Sequence, residues 1–297
     1  MPPRHHPLAG IALAVTAVAC FAFLDTTTKH VTLTVPLLLA LWFRYMFQAV
    51  ATTLVMWPVR GRALLRTAHP RFQVLRGVLL VLTSLFAFLS LRYLPVGEFT
   101  AILMITPLVI TLLAAHRLRE HVSPLRWALV LGGFTGTLII VRPGGDLFGW
   151  AMLLPLALVG CNAWFQVLTS RLARTEEAVT MHFYTGWTGA LLATLALPFV
   201  WRLPQGLGEW VGLTLMGVLS SIGHFLLIQA YRRANAATLT PFLYAQIGFA
   251  MLGGWLVFSH VPDTTSLLGM LLIALCGAAS GWLTARESRV RPLPVES

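Results

Sequence analysis

Three charged side chains interrupt apolar stretches of the chain and are the first candidates for chemistry. Asp25 lies late in the first apolar stretch, Arg44 lies about eight residues into the second, and Glu98 lies early in the fourth. A charge near the centre of a bilayer costs about 2.5–3.5 kcal/mol on insertion scales, so each is a candidate functional group. In one interpretation, Asp25 or Glu98 pairs with Arg44 and locks helices together. In the other, the planar fork of Arg44 binds a carboxylate or phosphate-like group of a substrate.

Uncharged polar side chains lie at similar depths in the other apolar stretches. The candidate substrate-binding residues of this kind are Thr106, Asn162, Gln166, Tyr184, His224 and Gln246. Asn162 and Gln166 are four residues apart and therefore share one face of a helix. Such side chains either line a cavity for a ligand or bond neighbouring helices, and the sequence leaves both readings open. His224 could titrate near neutral pH, although a lone histidine in a membrane is more often a packing residue.

Pro107 lies in the middle of the fourth apolar stretch, directly after Thr106. Because proline has no backbone donor, it frees the carbonyl group of Leu103 and kinks the helix. We expect Pro107 to be either a hinge or a static kink. The matching position in the second half of the chain is Ile247, so we expect the two halves to be kinked unequally.

The elements that must position these groups are membrane-spanning helices. The chain is 57% hydrophobic and only 10% charged, whereas soluble domains carry roughly 25% charged residues. Ten apolar stretches are each long enough to cross a hydrocarbon core of about 30 Å. They cover roughly residues 8–28, 36–57, 72–91, 96–115, 124–141, 148–170, 179–199, 208–230, 237–258 and 265–284.

Basic residues are distributed unequally between the connections of these stretches. Alternate connections, beginning at the N-terminus, hold 16 basic residues, and the opposite set holds four. Basic loops are retained in the cytoplasm during insertion, so we expect both termini to be cytoplasmic. The net charge of +11 is then explained by topology and by anionic lipid headgroups, and we expect no nucleic-acid partner.

The sequence contains none of the patterns that catalysis or metal binding would require. Three cysteines without a CxxC or histidine-rich partner predict neither a disulfide framework nor a metal site. There is no HExxH, no GxSxG and no pair of carboxylates on one helix. We therefore expect no enzyme activity, no metal and no cofactor. A channel is also disfavoured, because no repeated ring of pore-lining groups is present.

The second half of the chain resembles the first at an offset of about 140 residues. Residues 20–29 align with 161–170 at an offset of 141, and an offset of 140 places Tyr184 opposite Arg44. Because each half holds five spans, an odd number, the halves must enter the membrane in opposite orientations. Inverted repeats of this kind recur in secondary transporters, where the substrate site lies between the halves.

Two pairs of glycines take part in this repeat. Gly132 and Gly136 align with Gly277 and Gly281, and the two glycines of each pair are four residues apart. Small residues at this spacing let helix backbones approach closely. We expect the pairs to pack within the protein, with a homodimer contact as the alternative.

Several of these landmarks resemble the EamA family of the drug/metabolite transporter superfamily. They are residues 21–25 running on to Lys29, and residues 91–95 leading to Thr106 and Pro107. The resemblance covers nearly the whole chain. It implies an all-α integral membrane protein of ten transmembrane helices, built as two inverted five-helix repeats at 8–144 and 148–285, with a cytoplasmic tail at 286–297.

The resemblance also implies a function and a place in the cell. It implies a multi-pass carrier of the bacterial inner membrane that moves a small-molecule substrate by alternating access around a central cavity. We expect export of amino acids or related aromatic metabolites. The alternative is uptake of riboflavin or of a metabolite like S-adenosylmethionine. The expected partners are the substrate and membrane lipids, with a homodimer as a further possibility.

Overall fold

The computed structural model describes residues 6–93, 102–103, 105–118, 122–141, 153–258 and 263–290, and every regular element within them is a helix. A 3-10 helix at Gly61–Leu65 follows the second α-helix. The α-helices are α1 (Pro7–Val31), α2 (Leu37–Arg60), α3 (Pro70–Tyr93), α4 (Thr106–Arg117), α5 (Pro124–Val141), α6 (Leu153–Leu172), α7 (Ala178–Thr194), α8 (Leu197–Val200), α9 (Leu207–Tyr231), α10 (Ala236–Leu243), α11 (Ala245–Phe258) and α12 (Thr264–Val290).

The lengths and apolar composition of these helices confirm an all-α membrane protein. Within the described ranges, six helical stretches are long and apolar enough to cross a membrane, and Leu267–Leu283 is a shorter apolar helix. Each of the ten predicted spans contains at least one described helix. The predicted fold class is therefore confirmed.

The two ends of the bundle are defined by the antiparallel pair α2 and α7. Near one end, Trp42 Nε1 donates to Thr194 Oγ1 at 2.9 Å. Near the other, Arg60 Nη1 lies 2.8 Å from Glu177 Oε2. We call the first the Val31 end, because α1 ends there, and the second the Arg60 end.

Equivalent helices of the two halves make equivalent contacts with the opposite half. The packing of α1 on α9 has its counterpart in α6 on α3, and the packing of α2 on α9 has its counterpart in α7 on α3. The pairs α2–α7 and α5–α12 are their own counterparts. All of these contacts join one half to the other, so the core of the bundle is the interface between the halves.

The first glycine pair lies in one of these contacts. A Cβ atom added to Gly132 would lie 2.7 Å from the sulfur of Cys276, and one added to Gly136 would lie 2.8 Å from the carbonyl oxygen of Gly269. Both glycines therefore pack α5 against α12, as expected. Gly277 differs, because no described atom lies within 4 Å of a Cβ added there.

The described residues place a turn within the fourth span of each half, and the unequal kinking of the two halves stays a prediction. In the first half, Ile105 forms a turn and its N–H bonds to Ile102 O at 3.0 Å, so that α4 starts afresh at Thr106. Pro107 consequently lies in the first turn of a helix, where it removes no helical hydrogen bond. In the second half, the chain breaks between α10 and α11 at Tyr244, three residues after Pro241.

Threonine hydroxyls satisfy the backbone groups that these interruptions expose. Pro241 cannot donate to the carbonyl group of Ala237, and Thr240 Oγ1 lies 3.2 Å from that oxygen instead. Thr111 Oγ1 of α4 donates to Thr240 Oγ1 at 2.9 Å. Both threonine side chains are fully buried. The two spans are thus joined by a hydrogen-bonded chain that runs from Thr111 through Thr240 to the carbonyl group of Ala237.

Candidate functional site

A central cavity of about 320 Å³ lies between helices of both halves. Its volume falls at the lower end of the range of about 300–1,000 Å³ that is typical of small-molecule sites. Eight of the ten residues singled out from the sequence line it: Asp25, Arg44, Thr106, Pro107, Asn162, Gln166, His224 and Gln246. Their helices bring together residues more than 200 positions apart, so the cavity is built by the packing of the halves.

Two of the singled-out residues are not among those that line the cavity. Tyr184 lies on α7 with its hydroxyl group donating to Leu65 O at 3.0 Å, close to the Arg60 end. Its neighbour Thr185 faces the interior and is buried, and successive residues of a helix point about 100° apart. The alignment of the halves thus predicted the position of Tyr184 along α7 correctly, but its side chain lies on a face of the helix that does not meet the cavity. Glu98 lies outside the described residues.

Arg44 is held by the first half of the chain. Its side chain is buried, and Nη2 donates to Ser84 Oγ of α3. The hydroxyl groups of Tyr45 and Ser84 are 3.2 Å apart, and the Arg44 guanidinium carbon lies 4.6 Å from the centre of the Tyr45 ring. These contacts fix one face of the guanidinium and leave it at the cavity wall.

The predicted pair between Asp25 and Arg44 is not formed. Neither residue makes an ion pair within 4 Å among the described side chains. Asp25 accepts a hydrogen bond from Gln246 Nε2 at 3.1 Å instead, across the interface between α1 and α11. The physical reason is that Ser84 gives Arg44 a neutral acceptor on the neighbouring helix. The cavity consequently presents a carboxylate and a guanidinium as separate groups.

A chain of hydrogen bonds orients the two amides of α6. The Tyr231 hydroxyl group donates to Gln166 Oε1 at 2.7 Å, and Gln166 Nε2 donates to Asn162 Oδ1 at 3.3 Å. The bond from the buried phenol thereby holds the Gln166 amide in place beside Asn162. The Asn162 amide nitrogen remains at the cavity end of the chain as a donor.

His224 is held between aromatic rings at the cavity wall. Its Nδ1 lies 2.8 Å from Ser220 O, so in the neutral ring Nδ1 carries the proton and Nε2 is an acceptor. The rings of Phe21 and Phe165 meet it edge-on, at centroid distances of 4.7 Å and 6.0 Å. Phe21 and Phe165 also line the cavity. This part of the wall can pack against a planar ring and offer one acceptor at its edge.

Several lining residues were missed by reasoning from the sequence. Phe21 and Lys29 line the cavity beside Asp25, and the spacing of four residues between successive members places all three on one face of α1. That spacing is the signal that would have found them. Ser84 also lines the cavity.

The position of Arg76 differs most from the expectation, because the sequence places it among the basic residues of a connection between two apolar stretches. It lies in the second turn of α3, is fully buried, and donates through Nη2 to Met181 O and to Thr185 Oγ1, the latter at 2.5 Å. Its guanidinium carbon lies 5.6 Å from the centre of the Phe165 ring. No carboxylate pairs with it in the described part of the chain. Phe165 therefore contacts a buried cation as well as the cavity.

The described residues offer no group of three or more histidine, cysteine, aspartate or glutamate side chains that could hold a metal ion. Among the described lining residues, the donors and acceptors are amides, hydroxyls, one imidazole, one carboxylate and the cations of Arg44 and Lys29. This set suits reversible binding of an organic molecule with aromatic and polar parts.

Comparison with known proteins connects this geometry to a family. Residues 8–142 match the EamA-like transporter family. The chain is 31% identical to a riboflavin transporter of Vibrio cholerae over 97% of its own length and 98% of that protein. It is 32% identical to a riboflavin transporter of Rhizobium johnstonii over 95% and 90%. It is 26% identical to an S-adenosylmethionine uptake transporter of Rickettsia bellii over 78% and 79%.

A solved structure, described as the crystal structure of a protein, superposes with a TM-score of 0.76. It covers 94% of this chain and 98% of its own, at 22% sequence identity. This similarity concerns the fold alone.

Proposed function

Because this chain belongs to the EamA-like transporter family, we propose that it takes up riboflavin across the bacterial inner membrane. That it is a multi-pass transporter of a small molecule follows from the family. Riboflavin is the finer step, and it rests on the two relatives that carry this name over nearly their whole length and on the chemistry of the cavity.

The observation that carries the proposal is the amide chain beside the aromatic wall. Riboflavin joins a planar ring system, whose edge carries carbonyl and N–H groups, to a neutral chain of hydroxyls. Phe21 and Phe165 can pack against the ring. Asn162 and Gln166, oriented by Tyr231, can bond its polar edge. Because riboflavin is neutral, its binding would depend on these rings and amides rather than on the charged groups of the cavity.

Export of amino acids, the leading expectation from the sequence, receives less support. Asp25 and Arg44 could meet the ammonium and carboxylate groups of an amino acid, since both line the cavity unpaired with each other. None of the three relatives compared above is named for amino acids. The alternative reading, uptake of riboflavin, is therefore the one that we propose.

A second candidate substrate is S-adenosylmethionine. The carboxylate of Asp25 is exposed within the cavity and would attract a sulfonium cation, and the adenine ring could pack on the same phenylalanines. One relative is named for this uptake. Riboflavin is preferred because the relatives named for it are more similar to this chain and align over more of it.

The form of the cavity supports loading from the Val31 end. Thr26, Lys29 and Gly254 belong to its lining, and all three lie toward that end. At the Arg60 end, the halves are joined by the Thr111–Thr240 hydrogen bond and by the Arg60–Glu177 pair. The asymmetry of basic residues assigns the Arg60 end to the cytoplasm. The conformation is then open to the outside, and alternating access would close this entrance and open the other.

Counterflow in proteoliposomes tests the proposal. Vesicles loaded with unlabelled riboflavin, S-adenosylmethionine or phenylalanine are given the same compound in labelled form outside. We expect accumulation of labelled riboflavin, with a loss of at least about tenfold in the Asn162→Ala variant. Thr16→Ala removes a hydroxyl group on the exposed face of α1 and is the matched control. Folded protein that exchanges phenylalanine but not riboflavin would overturn the proposal.

A further inference from the structure

A second cavity, of about 380 Å³, lies at the side of the bundle between α3, α4 and α6. We call it the lateral groove. Its lining residues are Phe72, Leu75, Leu79, Arg117, Leu118, Trp164, Val167, Leu168 and Arg171. None of these residues lines the central cavity. The lateral groove is therefore a separate feature, which the proposed transport does not use.

The lining is divided into an apolar part and a cationic part. Leu75, Leu79 and Val167 lie within their helices, whereas Arg117 and Arg171 lie in the last turns of α4 and α6, at the Arg60 end. Phe72 and Trp164, 42% and 43% exposed, are large apolar side chains on the outer surface. In a protein that spans a membrane, such a surface meets acyl chains along its length and headgroups at its end.

The cationic part is organised around an aromatic ring. The Arg117 guanidinium carbon lies 5.5 Å from the centre of the Trp164 ring, a cation–π contact that holds the side chain over the groove. Arg171 lines the same groove from the end of the neighbouring helix. Two guanidinium groups in one recess can bond the oxygens of a phosphate group bidentately.

We propose that the lateral groove binds an anionic phospholipid. Its phosphate group would lie between Arg117 and Arg171, and an acyl chain would lie along Leu75, Leu79 and Val167. Charge complementarity selects this occupant, since the groove joins two cations to an apolar channel and a phospholipid joins an anion to an apolar chain. The proposal does not depend on which substrate the central cavity carries.

The position of the lateral groove gives the lipid a route to influence transport. The groove joins helices of the first half, α3 and α4, to α6 of the second half. Trp164 lines the groove, and the next residue, Phe165, lines the central cavity. A lipid in the lateral groove would therefore contact the outer face of α6, while the substrate contacts the face of α6 that lines the central cavity.

Native mass spectrometry of the full-length protein tests the binding. Protein in detergent is titrated with phosphatidylglycerol and, separately, with phosphatidylcholine of the same acyl chains. We expect phosphatidylglycerol to bind at least about tenfold more tightly, because each arginine near an anionic headgroup contributes substantially to lipid affinity. The double variant Arg117→Gln, Arg171→Gln should lose that preference.

The matched control is Arg62→Gln with Arg66→Gln. These two arginines are exposed at the same end of the bundle, outside the lateral groove, and the net charge changes equally. We expect the control to retain the preference to within about twofold. Equal losses in both double variants would show general attraction to a basic surface and overturn the proposal. A dimer that the groove variant dissociates, without competition by phosphatidylglycerol, would assign the groove to a second copy and also overturn it.

A single substitution in the lateral groove tests the same proposal if the variant with both Arg117→Gln and Arg171→Gln fails to fold. Trp164→Ala removes the ring beneath Arg117 while leaving both charges in place. We expect weaker binding of both phospholipids together with a smaller preference for phosphatidylglycerol. Unchanged binding in this variant would contradict the proposed site.

Discussion

The hydroxyl group of Tyr231 on α9 lies 2.7 Å from Oε1 of Gln166 on α6 and donates a hydrogen bond to it. Tyr231 is buried behind the cavity wall and is absent from the residues that line the cavity. It therefore acts on a ligand only through the amide that it orients. This relationship makes Tyr231 a positioning residue of the proposed site.

Replacing Tyr231 with phenylalanine should weaken riboflavin binding without unfolding the protein. The change removes one hydrogen bond, worth about 0.5–1.5 kcal/mol, and frees the Gln166 amide to turn over. We expect the KM for riboflavin uptake to rise by roughly two- to tenfold while the maximal rate changes little. Tyr184→Phe is the control, because that phenol bonds Leu65 O outside the cavity. An unchanged KM in Tyr231→Phe would contradict the positioning role.

Arg44→Ala should abolish transport while the protein still inserts and folds. The guanidinium lies at the cavity wall and bonds only Ser84 Oγ among the described side chains, so within the described part of the chain its removal leaves no carboxylate without its partner. Arg44→Lys keeps the charge but loses the planar fork, and we expect an intermediate rate. Uptake is measured in proteoliposomes, and folding is measured by size-exclusion chromatography. An aggregated Arg44→Ala variant would instead assign the residue a structural role.

Arg76 offers a test of how buried charge affects stability. Its acceptors keep other hydrogen bonds, since Thr185 Oγ1 donates to Met181 O at 2.9 Å and Thr169 Oγ1 donates to Phe165 O at 2.7 Å. Arg76→Met therefore leaves these groups satisfied, and we expect a melting temperature equal to or above that of the wild type.

Thr185→Val is the opposite change, because it leaves the buried Arg76 without one of its acceptors. We expect a loss of about 1–3 kcal/mol of stability, measured as a lower melting temperature of the protein in detergent. A melting temperature for Arg76→Met below that of Thr185→Val would contradict the interpretation.

Thr240→Val should destabilise the closed Arg60 end. The change leaves the carbonyl group of Ala237 without its hydroxyl donor and breaks the link to Thr111. Each buried hydrogen bond that is lost costs about 0.5–1.5 kcal/mol. Thermal unfolding measures the loss, and Thr16→Val, whose exposed hydroxyl group bonds Ala12 O, should leave the melting temperature unchanged. Equal effects in both variants would exclude a special role for the link.

Part of the cavity lining was predictable from the sequence, because the free-energy cost of placing a polar side chain in a membrane identifies candidate functional groups. Asp25, Arg44 and Gln246 were chosen because polar groups are expensive among apolar residues, and all three line one cavity. Their partners were not predictable. Arg44 could bond either a carboxylate or a hydroxyl group, and only the packing of α2 on α3 decides for Ser84.

The remaining differences between the predictions and the structure have two causes. One is the rotation of side chains about helix axes, and the other is bonding to partners that are distant in the sequence. Tyr184 was placed by an alignment whose error of one residue turns a side chain by about 100°. The burial of Arg76 depends on carbonyl and hydroxyl groups of α6 and α7, which hydropathy along the chain does not record. The break at Tyr244 comes three residues after Pro241, whereas the alignment of the halves points to Ile247.

The burial of Arg76 also has a consequence for biosynthesis. Its main acceptor, Met181 O, follows it by 105 residues, and at about 5–20 residues per second a ribosome needs roughly 5 to 20 s to make that length. During this interval α3 has reached the translocon while α7 has not been made. The nascent first half must therefore carry a guanidinium group without its eventual acceptors, kept near water or lipid headgroups, until the second half arrives to enclose it. Synthesis of α7 is thus the step that supplies these acceptors and allows the Arg76 side chain to be enclosed.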